Sequence, residues 1–212
     1  VYPSGEASGY PGGGAALLGE TIEEMLGYPI DYYVVVNFEG FKEIIDLIGG
    51  IEIDVPYEIY DDKFPDDNYG YEAPLHFLPG EQLMDGERAL QYARSRMSTS
   101  DFDRADRQQR ILLAIREKAL NINILPKLPS LAATMGNMVK TDMTLDEMIE
   151  LAALGPQIDL SNIQQLVIKK PMVYGYRTPK GAAVQLPKWD LIHAAVADMF
   201  YSEAVVPVAT AT

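Results

Sequence analysis

Seven of the eight arginines in this 212-residue chain fall between Arg88 and Arg116. Six of the seven lie in the run Glu87-Arg88-Ala89-Leu90-Gln91-Tyr92-Ala93-Arg94-Ser95-Arg96 and in its continuation, Asp101-Phe102-Asp103-Arg104-Ala105-Asp106-Arg107-Gln108-Gln109-Arg110, and Arg116 follows. From Arg88 to Lys118 there are eight bases and four acids, a net +4, in a protein whose formal charge is −14. Guanidinium is always charged and presents a planar fork of donors, which suits a phosphate. If Arg94-Ser95-Arg96 is extended, its period of two puts both guanidinium groups on one face. A helix starting near Asp103 puts Arg104, Arg107, Gln108 and Ile111 on one side. Arg104 and Arg107 then sit in its first turns, where free N–H groups and the helix dipole also favour an anion. The competing reading is that Asp101, Asp103 and Asp106 pair with these arginines on a solvated face. Surface ion pairs contribute only about 0–1 kcal/mol each, and the local acids are too few for all the bases. The chemistry therefore favours a bound anion, its identity open.

The elements that must position this segment are legible as an α/β pattern. A loop rich in Gly, Pro, Ser and Tyr covers residues 1–14, and a helix follows over about 15–26, with Gly27 placed to end it. Residues 32–36 read as a strand, 39–48 as a helix closed by Gly49-Gly50, and 51–55 as a half-buried strand with Ile51, Ile53 and Val55 on one face. Asp85 caps a helix to about Ala93, and a longer helix covers about 103–120. Further helices are expected near 130–135, over 144–154 behind a Thr144/Glu147 capping box, and over 189–201, with a strand at 163–168. Tyr57 to Pro74 reads as a strand pairing with its predecessor, then a surface loop. Its acids Asp61, Asp62, Asp66 and Asp67 match no EF-hand spacing, so the loop is a solvated acidic segment or a lid. Residues 1–204 are read as one domain and 205–212 as a disordered tail.

Composition narrows the function. The negative balance argues against a nucleic-acid or anionic-membrane binder. With no cysteine and only two histidines, His76 and His193, a thiolate metal site is excluded and a His-based triad is not expected. No stretch has the roughly 20 apolar residues of a membrane span.

Two motif groups carry a family resemblance. The first is Leu78-Pro79-Gly80-Glu81-Gln82-Leu83-Met84-Asp85-Gly86-Glu87-Arg88-Ala89-Leu90-Gln91-Tyr92-Ala93-Arg94-Ser95-Arg96 followed by Asp101-Phe102-x-Arg104-x-x-Arg107-Gln108. The second comprises Tyr32-Tyr33-Val34-Val35-Val36-Asn37-Phe38-Glu39-Gly40-Phe41, Ile48-Gly49-Gly50-Ile51 and Val139-Lys140-Thr141-Asp142-Met143. Together they resemble the LytR–CpsA–Psr family of bacterial cell-envelope proteins. The resemblance implies a three-layer α/β/α fold with a central mixed β-sheet flanked by helices. It also implies a membrane-anchored phosphotransferase on the extracytoplasmic face of a bacterial cell membrane. Such an enzyme moves an anionic glycopolymer, such as teichoic acid or capsular polysaccharide, from a polyprenyl-pyrophosphate carrier to peptidoglycan.

By the same resemblance, Arg94, Arg96, Arg104, Arg107 and Gln108 hold the pyrophosphate. Asp101 sits beside them, with orientation of Arg94 or Arg104 its expected role and proton acceptance the alternative. Arg94 and Arg96 are expected to offset charge on the leaving phosphate. The prenyl chain is expected in an apolar tunnel, with Val34, Val36, Phe41, Ile45 and Ile111 as candidates, although such spacings are more often ordinary core. Mg2+ is implied, its aspartate ligands and a membrane anchor being expected upstream of Val1. Two alternatives remain at this stage: a non-catalytic module that binds polyprenyl phosphate or glycopolymer, and a cell-envelope-related transcriptional attenuator. The acidic balance and the lack of a basic helix-turn-helix speak against the last.

Overall fold

The computed structural model describes residues 9–65, 70–71, 74–95, 101–121, 136–157 and 164–201. In chain order the helices are α1 (Gly13–Leu26), α2 (Phe38–Leu47), α3 (Gly86–Arg94), α4 (Asp101–Asn121), α5 (Leu145–Leu154) and α6 (Trp189–Tyr201). The strands are β1 (Val34–Val36), β2 (Ile51–Val55), β3 (Ile59–Asp61), β4 (Leu75–Phe77), β5 (Gly80–Met84), β6 (Val139–Thr141), β7 (Val173–Arg177) and β8 (Ala183–Pro187). They form two compact units, one of Tyr32–Asp159 and one of Val1–Asp31 with Leu160–Thr212.

In the Tyr32–Asp159 unit, β2 alternates buried and exposed residues along its whole length, as the Ile-Glu-Ile-Asp-Val pattern requires. It pairs antiparallel with β5, from Ile51 opposite Met84 to Val55 opposite Gly80. One continuous core gathers Ile45, Ile51, Ile53, Val55, Ile59, Phe77, Met84, Tyr92 and Ile111. Each such side chain removed from water contributes roughly 1.5–3 kcal/mol. Helix α4 lies on β2, and α3 packs between α2 and α4.

Local caps set the helix boundaries. The Asn37 side chain accepts from Gly40 N at 2.8 Å at the start of α2, and Asp85 accepts from Arg88 N at 2.8 Å at the start of α3. Helix α5 opens on the Thr144/Glu147 capping box, both halves of which are formed.

Several expectations are corrected. Strand β3 pairs with β4, not with β2, whose partner is β5. The α/β class is as expected, and among the described residues the strands form four two-stranded antiparallel ladders. Residues 164–169 adopt no regular structure, and the strands of that region are β7 and β8, which pair as a hairpin. Arg94 is not extended: it is the last residue of α3, and only Ser95 turns the chain out of the helix, with φ −55 and ψ 136. The helix expected near 130–135 and the 205–212 tail lie outside the described residues.

In the other unit, α1 and α6 pack together. Tyr28 stacks on Phe200 with ring centroids 3.8 Å apart, and His193 Nε2 donates to Met25 O at 2.8 Å. Its hairpin joins β7 to β8 with Tyr174 opposite Leu186 and Tyr176 opposite Val184.

Candidate anion site

Arg94 ends α3, and Arg104 lies in the first turn of α4. What holds these two helix ends together is Arg107. Its guanidinium is 1% exposed; Nε donates to Tyr92 O at 3.0 Å and Nη2 donates to Ser95 O. Both acceptors belong to the end of α3, where carbonyls have no partner within the helix. A fork of donors carrying positive charge satisfies them and suits the negative end of the dipole. The beginning of α4 therefore lies within one side chain's reach of the end of α3.

Arg94 is half-buried, its guanidinium 4.5 Å from the centre of the Phe38 ring and 5.1 Å from that of Phe64. Cation–π contacts of this kind contribute about 0.5–2 kcal/mol and orient the guanidinium without using its hydrogen-bond donors. Below it, Ser95 Oγ donates to Asp61 Oδ2 at 2.9 Å, and Lys63 N donates to Asp61 Oδ1 at 3.1 Å. Asp61 is 1% exposed, so it belongs to the interior and not to a solvated acidic loop. A sequence reading had no means of reaching it, since its partner Ser95 is 34 residues away.

The arginine stripe divides. Arg107 and Ile111 face inward, Arg104 is half-buried and Gln108 is exposed. Arg107 is thus a positioning residue rather than an outward anion donor. The five apolar tunnel candidates divide as well. Ile45 and Ile111 are core, Phe41 packs against that core, and Val34 and Val36 are exposed on β1. Arg96 and the Asp101 side chain lie outside the described residues. Arg88 packs 3.7 Å over the Phe77 ring and donates to His76 O; burial lowers its pKa. Among the described residues no three His, Cys, Asp or Glu side chains gather where they could hold a metal ion.

The Tyr92 hydroxyl is buried and has no hydrogen-bond partner among the described residues. Burial raises the pKa of this phenol, and the neighbouring Arg110 and Arg107 charges work the other way. An unsatisfied buried hydroxyl costs about 1–3 kcal/mol. Tyr92→Phe is accordingly expected to raise the stability of the chain in urea unfolding, by about 1 kcal/mol. A loss of stability would show that the hydroxyl has a partner.

The LytR_cpsA_psr family pattern matches residues 7–189, and the chain belongs to that family. It is 34% identical over 167 residues to the Polyisoprenyl-teichoic acid--peptidoglycan teichoic acid transferase TagV of Bacillus subtilis (strain 168), covering 78% of this chain and 42% of that protein. The chain thus spans less than half the length of this relative. Among solved structures, B. subtilis TagV superposes with a TM-score of 0.69 at 29% identity, over 90% of this chain and 72% of the other. A structure of TagT bound to LI-WTA is similar with a TM-score of 0.64 at 26% identity, over 88% of this chain and 66% of that one. The α/β fold is therefore that of the family. No helix among the described residues is long and apolar enough to cross a membrane.

Proposed function

We propose that this chain is the catalytic domain of a cell-wall phosphotransferase, one that moves an anionic glycopolymer from a polyprenyl-pyrophosphate carrier to peptidoglycan. The observation that carries the reading is family membership across residues 7–189, which includes the whole arginine segment, together with the transferase named at 34% identity. In this reading the arginines fall into a clamp and its support. Arg94, seated on Phe38 and Phe64, and Arg104, in the first turn of α4, contact the diphosphate, and Arg96 is a further donor to it. Arg107 holds the two helix ends at the spacing the clamp needs. Gln108, exposed on α4, donates to a phosphate oxygen.

In the transfer itself, a sugar hydroxyl of peptidoglycan attacks the phosphorus nearest the polymer. The bond from that phosphorus to the bridging oxygen breaks, and the carrier leaves as a prenyl monophosphate. Charge grows on that leaving phosphate, and guanidinium groups already in place offset it without reorganising. Asp101 orients an arginine or takes the hydroxyl proton. Magnesium enters this reading only with ligands from outside the described residues. The site of action is the extracytoplasmic face of the cell membrane.

Arg94→Ala tests the clamp. Losing a charge-assisted contact worth about 1.5–3 kcal/mol should weaken binding of farnesyl pyrophosphate by at least tenfold. Isothermal titration reads this directly, and unchanged affinity would remove Arg94 from the site.

A further inference from the structure

The long stretch 160–189 contains no aspartate or glutamate, in a chain that has 31 of them and a net charge of −14. The same stretch carries Lys169, Lys170, Arg177, Lys180 and Lys188. The structure places all five, exposed, around the β7–β8 hairpin. Among the described residues no carboxylate pairs with Lys170, Arg177, Lys180 or Lys188. We propose that this hairpin is a second binding surface, which takes a linear, phosphodiester-linked glycopolymer. The identity of the polymer rests on the transferase reading above; the surface itself does not.

Placement on the hairpin points to an extended polyanion rather than a single phosphate. Lys170 precedes β7 and Lys188 follows β8, and the bond from Lys188 N to Met172 O at 2.8 Å closes that end. Arg177 and Lys180 lie at the turn, where Arg177 Nη1 donates to Gly181 O at 3.0 Å. Five-residue strands rising about 3.3 Å per residue separate the two cationic ends by roughly 17 Å. Between them Tyr174 and Tyr176, each 45% exposed, stand on one face of β7. Their cross-strand partners Leu186 and Val184 are half-buried on that face. Tyrosine offers an apolar ring with a polar tip at low entropy cost, a surface on which sugar or polyol units can lie.

A bland explanation is that the lysines protect the edges of a two-stranded ladder from pairing with other chains. That role requires cations within the strands. Here four of the five lie outside them, and only Arg177 is a strand residue.

The test uses the 212-residue chain and purified lipid-free wall teichoic acid, with farnesyl pyrophosphate as the probe of the arginine site. The double variant Lys180→Glu/Lys188→Glu should bind teichoic acid about tenfold more weakly, since each surface charge contact contributes up to ~1 kcal/mol. Wild-type binding should fall as salt rises. Tyr174→Ser/Tyr176→Ser should also weaken binding while leaving the salt dependence in place. Both variants should bind farnesyl pyrophosphate as the parent does, and Arg94→Ala should show the reverse pattern. Circular dichroism checks that the variants fold; every substituted position on the hairpin is exposed. No binding of teichoic acid by the parent, or equal binding by both double variants, would overturn the proposal. So would tighter binding through the same residues to phosphatidylglycerol vesicles or to oligothymidylate. Failure of farnesyl pyrophosphate to bind the parent would count against the arginine site alone.

Discussion

Arg107→Ala should destabilise the Tyr32–Asp159 unit by about 2–6 kcal/mol, since two buried carbonyls each lose a charged donor at roughly 1–3 kcal/mol apiece. The side chain is 1% exposed, and its donors supply Tyr92 O and Ser95 O at the end of α3. Alanine leaves both carbonyls without that donor and opens a space beside the Tyr92 ring, which lies 5.9 Å from the guanidinium. Arg107→Lys keeps the charge but not the fork, because an ammonium is a point donor that cannot serve two separated carbonyls in the same way. It should recover only part of the loss. Arg94→Ala, by contrast, removes a half-buried cation from two aromatic rings and should cost about 1 kcal/mol. Urea unfolding of the three variants separates the roles. If Arg107→Ala costs no more than Arg94→Ala, Arg107 is not the support of the site. For Arg107→Lys, farnesyl pyrophosphate affinity measured on fully folded protein should fall less than for Arg94→Ala.

This division of the arginines was not legible from residue types. Arg104, Arg107 and Gln108 share a helical side by spacing, and nothing local says that Arg107 turns to the interior while Gln108 meets water. What could be read was local: the Asp85 cap, the Thr144/Glu147 capping box, and the alternation of Ile51, Ile53 and Val55. Each depends on residues within a few positions of one another. The pairings of β2 with β5 and of β3 with β4 are choices between distant partners, which periodicity does not encode. The β7–β8 hairpin escaped for a different reason. In β7 one residue is buried and four are exposed, so there is no two-residue period to find. Its charge escaped too, because it is mostly lysine and an arginine-rich segment drew attention elsewhere. The family resemblance names an anion but not the support proposed for it: Phe38, the Asp61–Phe64 stretch and Ser95 come from three separate parts of the chain.

Gly86→Ala is the substitution expected to reach the site from farthest away. A Cβ at Gly86 would lie 2.3 Å from Lys42 O, 2.6 Å from Lys42 Cα and 2.7 Å from Lys42 C. All three are backbone atoms of α2, so no rotamer change relieves the clash and one helix must move. Forcing atoms into a packed interface costs about 1–3 kcal/mol, occasionally more. The displacement would also stretch the bond from Gly86 N to Asp46 Oδ1, now 2.7 Å, which ties the start of α3 to α2. Functionally, α2 begins at Phe38 and α3 ends at Arg94, whose guanidinium rests on that ring. Pushing the helices apart should take Arg94 off Phe38 and weaken farnesyl pyrophosphate binding, although position 86 touches no ligand. Gly175→Ala is the control: its Cβ would meet nothing within 4 Å, so stability should change by less than about 0.5 kcal/mol. Urea unfolding and titration of both variants decide the matter. If Gly86→Ala matches the parent in stability and affinity, then the close approach of α2 and α3 is not what sets Arg94 in place.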